Sequence, residues 1–209
     1  QDAGLATLNG VAPGVKFLSG ASAPAAPLVI DTIRVAVPAA STNSVVTPPL
    51  LESPTPVPAL NLNFVGVNAN VRSLEAGPLP VPSGPPPQVT LPVVDVSLTA
   101  SNTPTPVVPD VNIQNANINK LTINSGKFSS SLSAAFALSP PSNGPALNLI
   151  AREIALAPGG TLQVDGAGSV RSLSVSNGAT FNRTVSTMLP DLSVGYLDLQ
   201  GTANLDGTV

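Results

Sequence analysis

Ile154-Ala-Leu156-Ala-Pro-Gly159-Gly160-Thr-Leu162, Leu173-Ser-Val175-Ser-Asn-Gly178-Ala179-Thr-Phe181 and Leu197-Asp-Leu199-Gln-Gly-Thr202-Ala203-Asn-Leu205 are three versions of one phrase in the last third of the chain. Aligned without gaps, each is an apolar-x-apolar pair, two residues, a Gly or Thr, a Gly or Ala, one polar residue and another apolar one. The copies start 19 and then 24 residues apart. Alternation sends Ile154 and Leu156 to one face of a strand, the small pair lets the backbone turn, and Leu162 re-enters the same core. A repeat on this period predicts a solenoid, in which one coil stacks on the next. The alternative architecture is a β-sandwich with similar hairpins.

Just upstream, residues 110–130 (DVNIQNANINKLTINSGKFSS) carry a second period, of five residues. Val111/Ile113, Ala116/Ile118, Leu121/Ile123 and Gly126/Phe128 recur with Asn112, Asn117, Thr122 and Lys127 between them. This spacing resembles the pentapeptide-repeat β-helix, where each quintet forms one side of a square coil. Four quintets make one Asn-rich coil; two ordinary strands with a kink are the competing reading. Between the two periodic regions, residues 145–157 read equally as a short helix, with Pro145 at its first position and Leu147, Ile150 and Ile154 at helical spacing, or as strands at Leu147/Leu149 and Ile154/Leu156.

Toward the N-terminus, Leu28 to Val37 (LVIDTIRVAV) predicts a strand. Its odd face, Val29, Asp31, Ile33, Val35 and Val37, is mostly β-branched, and its even face carries Arg34. Residues 1–30 otherwise suggest short strands or an arm, with turns at Asn9-Gly10 and Ala12-Pro13-Gly14. Residues 38–109 hold sixteen of the 24 prolines. Proline fixes φ and removes a ladder donor, so Pro48-Pro49, Pro54-Thr-Pro56-Val-Pro58 and Pro85-Pro86-Pro87 read as extended or edge segments. Leu60-Asn-Leu62-Asn-Phe64 alternates between them, and Val89 to Leu98 alternates with Pro92 marking an edge strand. Richness in Val and Leu favours an ordered extended segment over a flexible stalk. The chain thus divides into an N-terminal arm (1–37), a proline-rich extended segment with edge strands (38–109) and a β-solenoid-like domain (110–209). The fold class is all-β, β-solenoid-like or a β-sandwich, with long proline-rich arms.

Composition narrows the function. Only 9% of the 209 residues are charged and 43% are hydrophobic, with five Phe and one Tyr. The core must come from Val, Leu, Ile and Ala, which suits thin β layers. Net charge −3, with eight scattered Lys and Arg, argues against nucleic-acid binding. The absence of Cys and His removes the usual zinc sites, thiol catalysis and His-assisted nucleophiles. Asp165-Gly166 and Asp206-Gly207 suggest turns rather than calcium loops. No cofactor and no metal are expected. No apolar run is long enough to span a membrane. Gln1 in place of Met suggests a processed product, with a removed signal peptide the simplest account. The finish on Asp206-Gly-Thr-Val209, just after a repeat and without a polar cap, suggests open strand edges to which a further coil or another subunit stacks.

Residues 149–209, LNLIAREIALAPGGTLQVDG…LSVSNGATFNRTV…LDLQGTANLDGTV, resemble the β-solenoid passengers of autotransporters and filamentous-haemagglutinin-type adhesins. That resemblance implies secretion, a parallel β-helix, and adhesion or filament roles. The proline-rich middle suggests in addition a virion or fibre protein whose arms lace between neighbours. The expectation is a non-catalytic structural subunit of an extracellular or surface assembly, its main partner itself, with other envelope or coat proteins as further partners. An adhesin or carbohydrate-binding passenger is the alternative, with Tyr196 and Phe181 as its aromatic candidates. A polysaccharide-cleaving solenoid would need paired charges, and Asp165 with Arg171, or Asp191 with Asp198, are the candidates. Each reads better as solvated turn charge, so no enzyme is expected. Asn182-Arg-Thr184 matches a glycosylation acceptor.

Overall fold

In the computed structural model, the structure describes residues 6–9, 15–18, 26–36, 60–76, 94–136, 147–186 and 191–208. They form β1 (Ala6–Asn9), β2 (Val15–Leu18), β3 (Leu28–Ala36), β4 (Leu60–Val65), β5 (Asn68–Ala76), β6 (Val94–Thr99) and β7 (Asp110–Ile123). The second half continues with β8 (Gly126–Ser130), β9 (Asn148–Leu156), β10 (Gly160–Val164), β11 (Ala167–Val175), β12 (Thr180–Ser186), β13 (Leu192–Leu199) and β14 (Thr202–Thr208). Every pairing between them is parallel. The fold is all-β and solenoid-like.

The registers resolve this sheet into three sides. Face one stacks residues 28–30, 68–71, 110–113, 126–130, 160–164, 180–186 and 202–208. Face two stacks 6–9, 32–36, 73–76, 115–118, 148–151, 167–170 and 192–194. Face three stacks 15–18, 60–65, 94–99, 120–123, 153–156, 172–175 and 196–199. The long strands β3, β5, β9, β11 and β13 each turn a corner between two faces, and β7 turns two corners and runs along all three. The result is a three-sided stack of seven rungs, about 30 Å tall at the ~4.8 Å spacing of hydrogen-bonded strands.

Side chains directed inward form continuous columns through the stack. On face one, register places Leu28, Ala69, Val111, Phe128, Leu162, Phe181 and Ala203 one above another. On face three, Leu62, Val96, Leu121, Ile154, Leu173 and Leu197 form one column. Phe17, Phe64, Leu98, Ile123, Leu156, Val175 and Leu199 form its neighbour. The rings of Phe17 and Phe64 stack with centroids 4.7 Å apart. Leu62, Phe64, Leu98, Val111, Leu121, Ile123, Phe128 and Ile154 are wholly buried.

The repeated phrase has the role its residues suggested. Ile154 and Leu156 lie on face three, the small pair turns the corner, and Leu162 enters the core on face one. The third copy departs from the gap-free alignment. Leu199 pairs with Val175 but Thr202 pairs with Thr180, so this corner is two residues shorter and Ala203, not Leu205, stacks on Phe181. The residue parity is kept, and Leu205 stacks on Arg183 instead.

Other expectations are sharpened or corrected. The quintets of 110–130 do form a coil, but with three sides: Phe128 of the fourth quintet returns above Val111 of the first. The helix alternative at 145–157 gives way to β9, with Leu149, Ala151, Ile154 and Leu156 buried and Ile150 exposed. In β3 the inward parity changes mid-strand. Ile30 and Ile33 are both buried because the strand bends round a corner near Asp31, so a single odd face does not exist. Nor is the strand after Pro92 an edge: β6 begins at Val94, past the proline, and pairs with β4 and β7 on its two sides. The proline-rich spans 37–59 and 77–93, where the ordered extended segment was expected, lie outside the described residues, as do Asn9-Gly10's second residue and Pro13-Gly14. Both spans connect the end of face two to the start of face three, in consecutive coils.

Corners from face three to face one use left-handed backbone at Gly126 and Gly159, with φ of 86° and 83°. A Cβ at Gly126 would fall 2.2 Å from the Pro109 carbonyl oxygen, whereas at Gly159 it would meet nothing within 4 Å. Gly159→Ala should therefore cost only the left-handed penalty, about 1–2 kcal/mol, and Gly126→Ala distinctly more. Phe128→Ala should cost about 3–5 kcal/mol, while Ile150→Ala, one position out of phase with the core, should stay within about 0.5 kcal/mol. Urea denaturation of the four variants checks both contrasts.

Candidate functional site

The structure separates the charged pairs read from the sequence. Asp165 sits at the corner between β10 and β11, where it accepts hydrogen bonds from Gln163 Nε2 and from Thr184 Oγ1, the latter at 3.3 Å. Arg171 is exposed at a different corner, between faces two and three. Asp191 precedes β13 on face two; Asp198 points outward from face three and accepts from Gln200 Nε2 at 3.3 Å. Neither pair is brought together. Of the aromatic candidates, Phe181 is 6% exposed in a core column and Tyr196 is 62% exposed on face three. Asn182 lies on the outer side of face one and accepts from Asn204 Nδ2 at 2.9 Å. Asp165-Gly166 does mark a corner, but Asp206-Gly207 is no turn: both residues pair with β12 inside β14. Among the described residues, no three acidic side chains converge on a point that could hold a metal ion.

One charged group was missed. Arg183 occupies an inward position on face one, above Ser130 and Val164 in register, and is 7% exposed. Its Nη1 donates to the carbonyl oxygens of Val164, at 3.1 Å, and Gly166, at 2.5 Å. Burial lowers its pKa from the ordinary arginine value, opposed by the charges of Asp165 and Asp191. The guanidinium therefore ties the strand end of β10 to the corner that follows it. A signal was present: alternation from Phe181 through Asn182 places Arg183 on the core face.

A second polar arrangement covers the lower part of face one. Asn112 donates from Nδ2 to the Ser131 carbonyl at 3.0 Å and accepts from the Ser131 amide at 3.2 Å. Ser133 Oγ donates to Asn70 Oδ1 at 2.9 Å, and Phe136 lies under the Arg72 guanidinium at 4.9 Å. Arg72 is held in turn by Asp31 at 3.0 Å. The segment after β8 thus straps across earlier rungs, which is why the outward residue Asn112 is buried.

Among the described residues β13 pairs only with β11, and β14 only with β12. Leu197, Leu199 and Leu205, all in core columns, are 49%, 44% and 64% exposed. Backbone donors and acceptors along one edge of both strands are unpaired within the sheet, and apolar side chains line that edge. This combination is a template for another strand.

No protein-family model matches the chain, and no curated protein or solved structure is significantly similar to it. The resemblance to secreted passengers therefore reaches the solenoid-like architecture and no particular family. Among the described residues no helix is long and apolar enough to cross a membrane.

Arg183→Met keeps much of the volume but leaves two buried carbonyl oxygens without their donor. A loss of about 2 kcal/mol is expected, against no more than about 0.5 kcal/mol for Arg171→Met. Parallel thermal and urea unfolding of the two variants separates the buried arginine from the exposed one.

Proposed function

We propose that this chain is a non-catalytic structural subunit of an extracellular or surface assembly, a filament, fibre or coat, joined by β-strand pairing between subunits. The observation that carries this reading is the all-parallel stack itself, in which each rung is held to the next by strand pairing and by columns of buried apolar side chains, so that strand addition is the contact this architecture offers a partner. Two other features support it. Charged groups are few, and several have local structural duties, as Asp165 has toward Gln163 and Thr184 and Arg72 toward Asp31. The carboxylates that chemistry on a polysaccharide would need stand on different sides of the prism. An outer location fits a chain of low charge without cysteine.

A second reading, a glycan-binding passenger, has one observation in its favour: Tyr196 presents an exposed ring on face three. A lone ring is a weak platform for a saccharide, so this reading stands behind the first. Light scattering with negative-stain microscopy tests the assembly. Rods or sheets that grow with concentration are expected, and Leu199→Lys should disperse them while leaving the far-ultraviolet circular dichroism unchanged. A monodisperse monomer across the accessible concentration range would remove the assembly reading and turn attention to Tyr196.

A further inference from the structure

We infer that the edge between faces two and three carries an anion-binding site, formed by Arg152 and Arg171, whose ligand is an acidic polysaccharide with one carboxylate per sugar. The inference goes beyond the assembly reading and rests neither on it nor on Tyr196. Three observations carry it. The first is register. Val170 pairs with Ala151 and Ser172 with Glu153, so the intervening Arg171 and Arg152 hold the same corner position in adjacent rungs. Neighbouring rungs lie about 4.8 Å apart, and like charges directly opposed on neighbouring strands repel. Both residues are exposed.

The second observation is that neither arginine has a partner. Among the described residues, Arg152 and Arg171 make no ion pair and no side-chain hydrogen bond. The charges nearest them are committed elsewhere. Glu153, next to Arg152 in the chain, pairs with Lys120 at 2.9 Å. Asn119, at the same corner one rung below, donates from Nδ2 to Asp95 Oδ1 at 2.8 Å. Two unpaired guanidiniums thus share one edge of a chain that has only eight Lys and Arg and a net charge of −3. A bound carboxylate relieves their repulsion, and the planar fork of arginine receives it through paired, charge-assisted hydrogen bonds.

The third observation is what surrounds the pair. On face two, Asn117, Ile150 and Ser169 follow one another in register, with Ile150 42% exposed; on face three, Ser172 adjoins Arg171. Amide and hydroxyl side chains around one apolar group suit the hydroxyls and the C–H surface of a sugar ring. Two cations are too few for a lipid surface, which calls for clusters of about 4–8, or for the phosphates of a nucleic acid. Face three presents Asp95 and Glu153 beside the site, which disfavours a polymer of higher charge density such as a sulfated one.

Biolayer interferometry with immobilised polygalacturonate and alginate, at low salt, tests the site. Binding that weakens as salt is added is expected, with none to neutral dextran. Arg152→Gln and Arg171→Gln should each weaken it at least about tenfold, while Lys127→Gln, which removes an exposed cation from face one, should change it less than about twofold. Arg171→Lys keeps the charge without the fork and should recover only part of the affinity. Thermal midpoints of the unliganded glutamine variants at low salt should equal or exceed that of the unmodified protein, because a repulsion is removed. No binding to either polyuronate, an equal loss with Lys127→Gln, or tighter binding to dextran sulfate overturns the inference. Light scattering keeps it apart from the assembly reading: a monomer that binds polyuronate removes assembly and leaves this site standing, and an assembling protein that fails to bind does the reverse.

Discussion

The parallel hydrogen-bond ladder governs this molecule. It fixes successive rungs about 4.8 Å apart and keeps each residue over its counterpart in the coil below. A core side chain therefore touches mainly the residues one rung above and below it, and stability accumulates column by column instead of around a single centre. Because inner strands are paired on both sides, a strand has no room for an extra residue. Length can vary only at corners. The rung period accordingly changes, from 17 residues between Asp110 and Lys127 to 47 between Val15 and Leu62, while the stacking does not.

Within a column, neighbours compensate in size. Register on face two places Ala116, Leu149, Gly168 and Leu192 in succession. A Cβ at Gly168 would lie 2.7 Å from Leu192 Cδ1, so the larger residue fills the space the glycine leaves. Phe128 and Phe181 are separated by Leu162 and flanked by Val111 and Ala203 in the same way. Arg183 shows how far this tolerance extends: a guanidinium is accepted in a core column because the corner at Gly166 turns two carbonyl oxygens toward it, and the acids at 165 and 191 offset part of its desolvation.

Much of this fold was legible because its signals are local. Alternation at Ile154/Leu156 and the following small pair identify strand and corner, and the quintets of 110–130 identify a complete coil. What escaped reading was geometry that alternation does not encode. Three sides and four sides differ only in where Phe128 returns, which is a contact across 17 residues. The corner in β3 keeps the strand hydrogen-bonded while reversing its inward parity, so Ile30 and Ile33 looked incompatible with one strand. Arg183 was hidden by its own chemistry, since a charged residue on the core side of an alternating strand is usually taken for an outward one.

Proline clarifies the organisation further. The chain has 24 prolines, and none falls inside any of the fourteen strands. A parallel coil paired above and below needs every amide in its ladder, and proline has none to give. Pro92 ends just short of β6, Pro109 immediately precedes β7, and Pro158 stands in the corner before β10. The proline-rich character of residues 38–109 and the solenoid are therefore compatible: the rungs at Leu60–Val65, Asn68–Ala76 and Val94–Thr99 are proline-free inserts between the rich spans. Both of those spans leave from the corner between faces two and three in consecutive coils, so proline-free rungs and proline-rich connections alternate along one chain without competing for the ladder.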